Sequence, residues 1–179
     1  MSEPDAPRRR WRAELAEAQL SGLAAAKPTV FDADALNLLA ADQGALPNDA
    51  IITPHPGEAA RLLGSEVSAV QADRPAAALE LANRYRCIAV LKGAGSLIAA
   101  PDGRLAACAI SEPALASGGT GDVLTGLISA LLAQGLAPFD AACTGVLAHA
   151  CAGRHAGAEG ARGTLAGDVV AQLRGVLNP

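Results

Sequence analysis

Short apolar runs alternate along this chain with longer stretches whose apolar residues recur at helical spacing. Pro28-Thr-Val-Phe31 is a brief apolar run closed by Asp32, and residues 35–41 after it predict a helix. Asp49-Ala-Ile51-Ile52 is a second such run, stopped by Thr53-Pro54-His55-Pro56-Gly57 and followed by a helix over 58–63. Residues 74–86 read as a longer helix, and Cys87-Ile-Ala-Val-Leu91 is apolar without a break, as in a strand covered on both faces. Ser96–Ala100 and Arg104–Cys108 bracket Pro101-Asp102-Gly103 and predict a β-hairpin. Helices are predicted over 123–134, 139–157 and 166–177, and another over 13–25 with Leu15, Ala18 and Leu23 on its apolar side. Met1–Arg12 reads as an unrelated, disordered terminus, so the folded region is expected over 13–179. Strands that alternate with helices predict an α/β sandwich: a largely parallel sheet with helices on both faces.

In such a sheet, ligands bind beyond the carboxyl ends of the strands. Four polar clusters fall at those ends. Asp32 and Asp34 follow the first strand, Thr53, His55 and Glu58 the second, Lys92-Gly93-Ala94-Gly95-Ser96 the third, and Asp122 opens the next helix. Each cluster alone has a structural reading. Asp32 and Asp34 suit a helix cap, Asn37 a helix surface, and His55 a rigid turn between two prolines. Glu58 suits a first helical turn, and the Lys92 loop a sharp connection. Their coincidence on one edge argues for a site. A lysine beside two glycines and a serine also suits a nucleotide phosphate or ribose.

The densest of these signals is Ser117-Gly118-Gly119-Thr120-Gly121-Asp122, with Val123, Leu124, Leu127, Ile128, Leu131 and Leu132 following at helical spacing. Glycines let backbone N–H groups approach an anion, and a helix starting there aims its unpaired N–H groups and dipole at the same point. An aspartate at that mouth repels phosphate. Its chemical use is to take a proton from a hydroxyl held beside one; its structural alternative is an ordinary first-turn acid. His149 and His155, on a long helix, read as structural or exposed.

The chain has 179 residues, 51% hydrophobic and 18% charged, enough for one domain with a real core. Aromatics at 2% and a net charge of −4 give neither base-stacking platforms nor a basic field, so no nucleic-acid partner is expected. Arg8-Arg9-Arg10 with Arg12 is a local cluster. No run is long and apolar enough for a membrane span, and no signal-peptide core follows the start, so a cytoplasmic location is expected. Cys87, Cys108, Cys143 and Cys151 lack zinc or C-x-x-C spacing and read as free buried thiols; no metal ligands are assigned.

Together Phe31-Asp-Ala-Asp-Ala-Leu-Asn37, Thr53-Pro-His-Pro-Gly-Glu58, Leu91-Lys-Gly-Ala-Gly-Ser96 and Ser117-Gly-Gly-Thr-Gly-Asp-Val-Leu-Thr-Gly126 resemble the ADP-dependent NAD(P)H-hydrate dehydratases of the ribokinase superfamily. The second element is the most diagnostic of the four. The resemblance implies a ribokinase-like α/β sandwich. The implied reaction is repair of (6S)-NAD(P)H hydrate: ADP (or ATP), with Mg²⁺, phosphorylates the ring hydroxyl, phosphate leaves, and AMP is released. Under it Asp122 is the base, His55 contacts the hydrate, and Asp32 and Asn37 line the hydrate or Mg²⁺ region. Lys92, Gly93, Ala94, Gly95, Ser96, Gly118, Gly119, Thr120 and Gly121 hold the donor nucleotide. Homo-oligomers and an epimerase domain or partner are further implications.

Two departures stand out. Glu112-Pro113-Ala114 replaces the family's Asn-Pro-Gly, so a like charge is expected near the donor phosphates and a Cβ where the family has none. The resemblance runs from 28 to about 177, and the family's opening βα units have no counterpart before Ala13. An N-terminally truncated domain of impaired activity is therefore the expectation. The alternatives are a superfamily kinase of thiazole or hydroxymethylpyrimidine type, and a non-catalytic remnant. The sequence leaves open ADP against ATP, NADH against NADPH hydrate, oligomeric state, and whether the chain folds and is active alone.

Overall fold

Alternation of side chains along the strands decides the layering. Ile51, Ile88, Val90 and Ile98 face one way; Ile52, Ala89, Leu91 and Leu97 face the other, and both sets are buried. The protein, a computed structural model, is described over residues 27–42 and 45–178. The helix expected over 13–25 and the terminus before it lie outside the described residues.

The elements in chain order begin β1 (Val30–Phe31), α1 (Asp34–Asp42), β2 (Ile51–Ile52), α2 (Pro56–Leu63), α3 (Val67–Ala72), α4 (Arg74–Tyr85) and β3 (Ile88–Leu91). They continue with β4 (Leu97–Ala99), β5 (Leu105–Ala107), a 3₁₀ turn (Pro113–Leu115), α5 (Thr120–Ala133), α6 (Pro138–Ala156) and α7 (Ala166–Leu177). The sheet runs β1-β2-β3-β4-β5. The first three strands pair in parallel, β4 is antiparallel to β3, and β5 reverses again. Four strands thus point one way, and the hairpin supplies the one reversal. Residues Leu36, Leu62, Ala78 and Leu81 of α1, α2 and α4 bury against one face. Leu124, Ile128, Ala142 and Val146 of α5 and α6 bury against the other. The α/β sandwich with helices on both faces is what the pattern predicts.

Two local differences have physical causes. α5 begins at Thr120, three residues before its apolar run, because Gly119 takes a left-handed conformation (φ 85°) that starts the helix directly after the glycines. The turn at 113–115 and the short α3 carry too few apolar positions to show a period. Of the four free cysteines only Cys87 is fully buried; Cys108, Cys143 and Cys151 are half-buried, which corrects the expectation of buried thiols throughout.

Candidate active site

Because β1, β2 and β3 are parallel, their carboxyl ends bring Asp32, Thr53 and Lys92 to one edge. Lys92 Nζ lies 2.8 Å from Asp32 Oδ1 and 3.9 Å from Glu58 Oε2, with all three side chains largely buried. Thr125, one turn into α5, donates its hydroxyl to Asp32 Oδ2 at 2.8 Å. Asp32 therefore ties β1 to β3 and to α5 through both carboxylate oxygens. Burial works against the Asp32 carboxylate. The Lys92 hydrogen bond and charge, with the Thr125 and Thr53 hydroxyls, outweigh it and hold its pKa below the usual value.

His55 is the N-cap of α2. Its Nδ1 accepts from the backbone N–H of Gly57 at 3.0 Å and of Glu58 at 3.2 Å, while Glu58 Oε2 accepts from the His55 N–H at 2.7 Å. This reciprocal pair is a capping box with histidine in the place of serine or threonine. With Nδ1 accepting, the neutral ring carries its proton on Nε2, which lies 3.4 Å from Glu58 Oε1 on a half-exposed side chain.

The phosphate side is built from two loops. After β3, Gly93 adopts φ 149° directly under the Arg74 guanidinium, where a Cβ would collide. Arg74 donates to the Gly95 carbonyl at 3.1 Å and holds the loop against α4. At α5, no side chain caps the helix, so its first-turn N–H groups are uncapped. Where a Cβ on Gly121 would stand is 3.5 Å from Lys92 Nζ and 3.9 Å from Asp32 Oδ2. A helix N-terminus, an ammonium with its Asp32 partner and a substituent-free backbone thus meet at one point.

A cavity of about 310 Å³ opens beside that point. Lys92, Gly93, Ala94, Ser96, Thr120 and Gly121 of the expected nucleotide residues line it; Gly95, Gly118 and Gly119 flank it. The Thr120 hydroxyl is engaged with the Leu115 and Ser117 carbonyls at 2.7 and 2.8 Å. Asp122 is exposed in the first turn of α5, and it stands with Asp32 and His55 outside the cavity wall. Asn37 is exposed on α1, its amide 3.5 Å from Asp34 Oδ1, and among the described residues it makes no hydrogen bond to the Asp32–Lys92 group.

The departures from the family pattern have local explanations. Glu112 accepts from the Ala114 N–H at 3.1 Å and caps the 3₁₀ turn, the task an Asn would perform, while also lining the cavity. Ala114 is fully buried, and Gly157 provides room opposite its methyl group. Sequence reasoning missed Thr125 and Arg74 because their partners are distant in the chain. It missed His149 because an Ala-rich helix gives no sign of which side is buried; in the fold His149 is 7% exposed and lines the cavity.

Among the described residues no group of three or more His, Cys, Asp or Glu could hold a metal ion. Mg²⁺ commonly binds through donor phosphates with one or two carboxylates and water, and Asp122 at the mouth of α5 suits that form. No described helix is long and apolar enough to cross a membrane.

Known proteins resemble this chain in sequence and fold. A family model described as NAD(P)H-hydrate dehydratase matches residues 12–174. The bifunctional NAD(P)H-hydrate repair enzyme Nnr of Escherichia coli K12 is 49% identical over 154 residues, 86% of this chain and 30% of that protein. The ADP-dependent (S)-NAD(P)H-hydrate dehydratase of Neisseria meningitidis is 43% identical over 163 residues, 85% of this chain and 54% of the relative. The crystal structure of the Bacillus subtilis ADP/ATP-dependent NAD(P)H-hydrate dehydratase, co-crystallised with ATP/Mg²⁺, superposes with a TM-score of 0.75 at 34% identity. It covers 83% of this chain and 53% of that one. The chain thus spans between 30% and 54% of the length of these relatives. Sequence and fold agree: the chain belongs to the NAD(P)H-hydrate dehydratase family.

Proposed function

We propose that this chain dehydrates (6S)-NAD(P)H hydrate to NAD(P)H at the expense of ADP, with release of AMP and phosphate. The observation that carries the reading is the meeting of Lys92, Gly121 and the uncapped start of α5 beside the cavity. ADP, or ATP in its place, would supply the phosphoryl group; Mg²⁺, which Asp122 or Asp32 would help to hold, would offset the phosphate charge.

The chain's own residues then have distinct tasks. Gly93, Ala94, Ser96 and Gly121 form walls that the nucleotide can approach closely. Lys92, fixed by Asp32 and Glu58, donates an N–H to a phosphate oxygen without swinging. Asp122 takes the proton of the ring hydroxyl as that oxygen bonds the β-phosphorus of ADP and the bond to AMP breaks. Loss of phosphate with the neighbouring ring hydrogen then restores the double bond. His55 presents its Nε2–H to the hydrate from a backbone fixed by two prolines and a cap. Asp32 acts through Lys92 and Thr125, and Asn37 borders the hydrate side from α1. A cytoplasmic setting, assembly with further copies and work beside an epimerase complete the proposal.

The test is to incubate the purified chain with NADH hydrate and ADP. Absorbance of the reduced nicotinamide returns only when ADP is present. A kinase acting on another small molecule, or a remnant without activity, restores none.

A further inference from the structure

One polar atom in the cavity wall has no task in the chemistry above. His149 sits on α6, 7% exposed, and shares the wall with Leu124, Val146 and Thr120. Its Nε2 is buried and has no hydrogen-bond partner among the described residues. Native proteins rarely leave a buried side-chain nitrogen unpaired, so such an atom calls for a partner.

The chemistry of the ring says which kind of partner. A backbone hydrogen bond at Thr120 makes the imidazole more basic. Only a carbonyl acceptor does that, because a donating N–H would favour the neutral ring. A neutral ring that donates from Nδ1 to the Thr120 carbonyl presents a lone pair at the unpartnered Nε2. Burial, and then the charge of Lys92, keep the ring neutral. A lone pair cannot bond phosphate, whose oxygens are acceptors too. Lys92 and the start of α5, which line the same cavity, do suit phosphate.

We propose that His149 Nε2 accepts a hydrogen bond from the nucleoside half of the donor nucleotide, through a ribose hydroxyl or the exocyclic amine of the base. This contact fixes which way round the nucleotide lies. The proposal rests on the nucleotide-site reading given under Proposed function. The neighbouring walls agree with it: Ala94, Leu124, Val146 and Ala150 are small or apolar, suited to a flat base and sugar.

Calorimetric titration of the full chain with ADP, inorganic pyrophosphate, inosine 5′-diphosphate, 2′-deoxy-ADP and 3′-deoxy-ADP tests it. The expected result is that one analogue lacking the relevant donor binds about tenfold more weakly than ADP, since the buried acceptor stays unpaired. Weakness of the inosine compound assigns the amine; weakness of a deoxy compound assigns the ribose. His149→Phe keeps a ring without an acceptor. It is expected to weaken ADP by about the same factor, leave pyrophosphate unchanged and abolish the discrimination. Equal loss of ADP and pyrophosphate in this variant would overturn the assignment and make His149 structural. If His149→Phe fails to fold, the analogue series on the unaltered chain decides alone, and analogues all as tight as ADP overturn the proposal. An unaltered chain that binds no ADP overturns the underlying site reading as well, which separates the two failures.

Discussion

Asp122 and Lys92 occupy opposite electrostatic situations a few residues from the same phosphate site. Asp122 is exposed in the first turn of α5, free to meet a substrate hydroxyl. Asp122→Asn keeps the shape and removes the basicity. Turnover should fall at least about a hundredfold, the lower range for a general base, while ADP affinity is little changed. Parallel kinetics and calorimetry on the variant check this; unchanged turnover contradicts the role. Lys92 is instead enclosed by carboxylates, and Asp32 is the closer. Asp32→Asn leaves that ammonium poorly paired and should cost about 1–3 kcal/mol of stability. The acid behaviour follows the same bond. The folded pKa of Asp32 lies below its ordinary 3.8, so its contribution is complete above that pH and is lost as pH falls through the folded value. Thermal melts in acid should show this loss in the unaltered chain and not in Asp32→Asn. His149 responds earlier. Its pKa is pushed below 6.5, so the stability of the neutral ring is complete above that pH and declines as acid is added.

At the scale of elements, the cap of α2 joins structure to chemistry. His55 holds two backbone N–H groups with Nδ1, while Nε2 lies 3.4 Å from Glu58 Oε1 on a half-exposed ring. His55→Ala should therefore do two things: destabilise the fold by about 0.5–2 kcal/mol, as loss of an N-cap does, and raise the KM for the hydrate. His55→Asn restores the cap alone, so recovery of melting temperature without recovery of KM separates the roles. Glu112 supplies the comparable case at the 3₁₀ turn. Glu112→Asn keeps the cap, removes a negative charge from the cavity wall, and should tighten ADP binding with stability unchanged. Much of this element level was legible in the sequence. The unbroken run at 87–91 announced a strand covered on both faces, and 166–177 was bounded as a helix at both ends. The loops at 92–96 and 118–121 were found because glycine beside a charge has few other uses. What stayed hidden has a common cause: it depends on partners far apart in the chain. Thr125 meets Asp32 across 93 positions, and Arg74 reaches Gly95 across 21. No local pattern encodes either pairing. Nor could spacing reveal that Thr120's hydroxyl would turn to the Leu115 and Ser117 carbonyls, away from any phosphate.

For the whole molecule, one sheet edge collects everything the proposed reaction needs from this chain. Two apolar layers hold that edge rigid: α1, α2 and α4 on one face, α5 and α6 on the other. Asp32 clamps β1, β3 and α5 together at the point where the layers meet the site. Nucleotide cleavage and hydrate dehydration are expected to happen at this edge as one coupled event. The most direct measurement follows AMP and NADH together, by chromatography, in a mixture of the purified chain, (6S)-NADH hydrate, ADP and Mg²⁺. The expected result is one AMP formed for each NADH restored, with neither appearing when hydrate or ADP is left out. NADH restored without AMP, or neither product formed in the complete mixture, would contradict it.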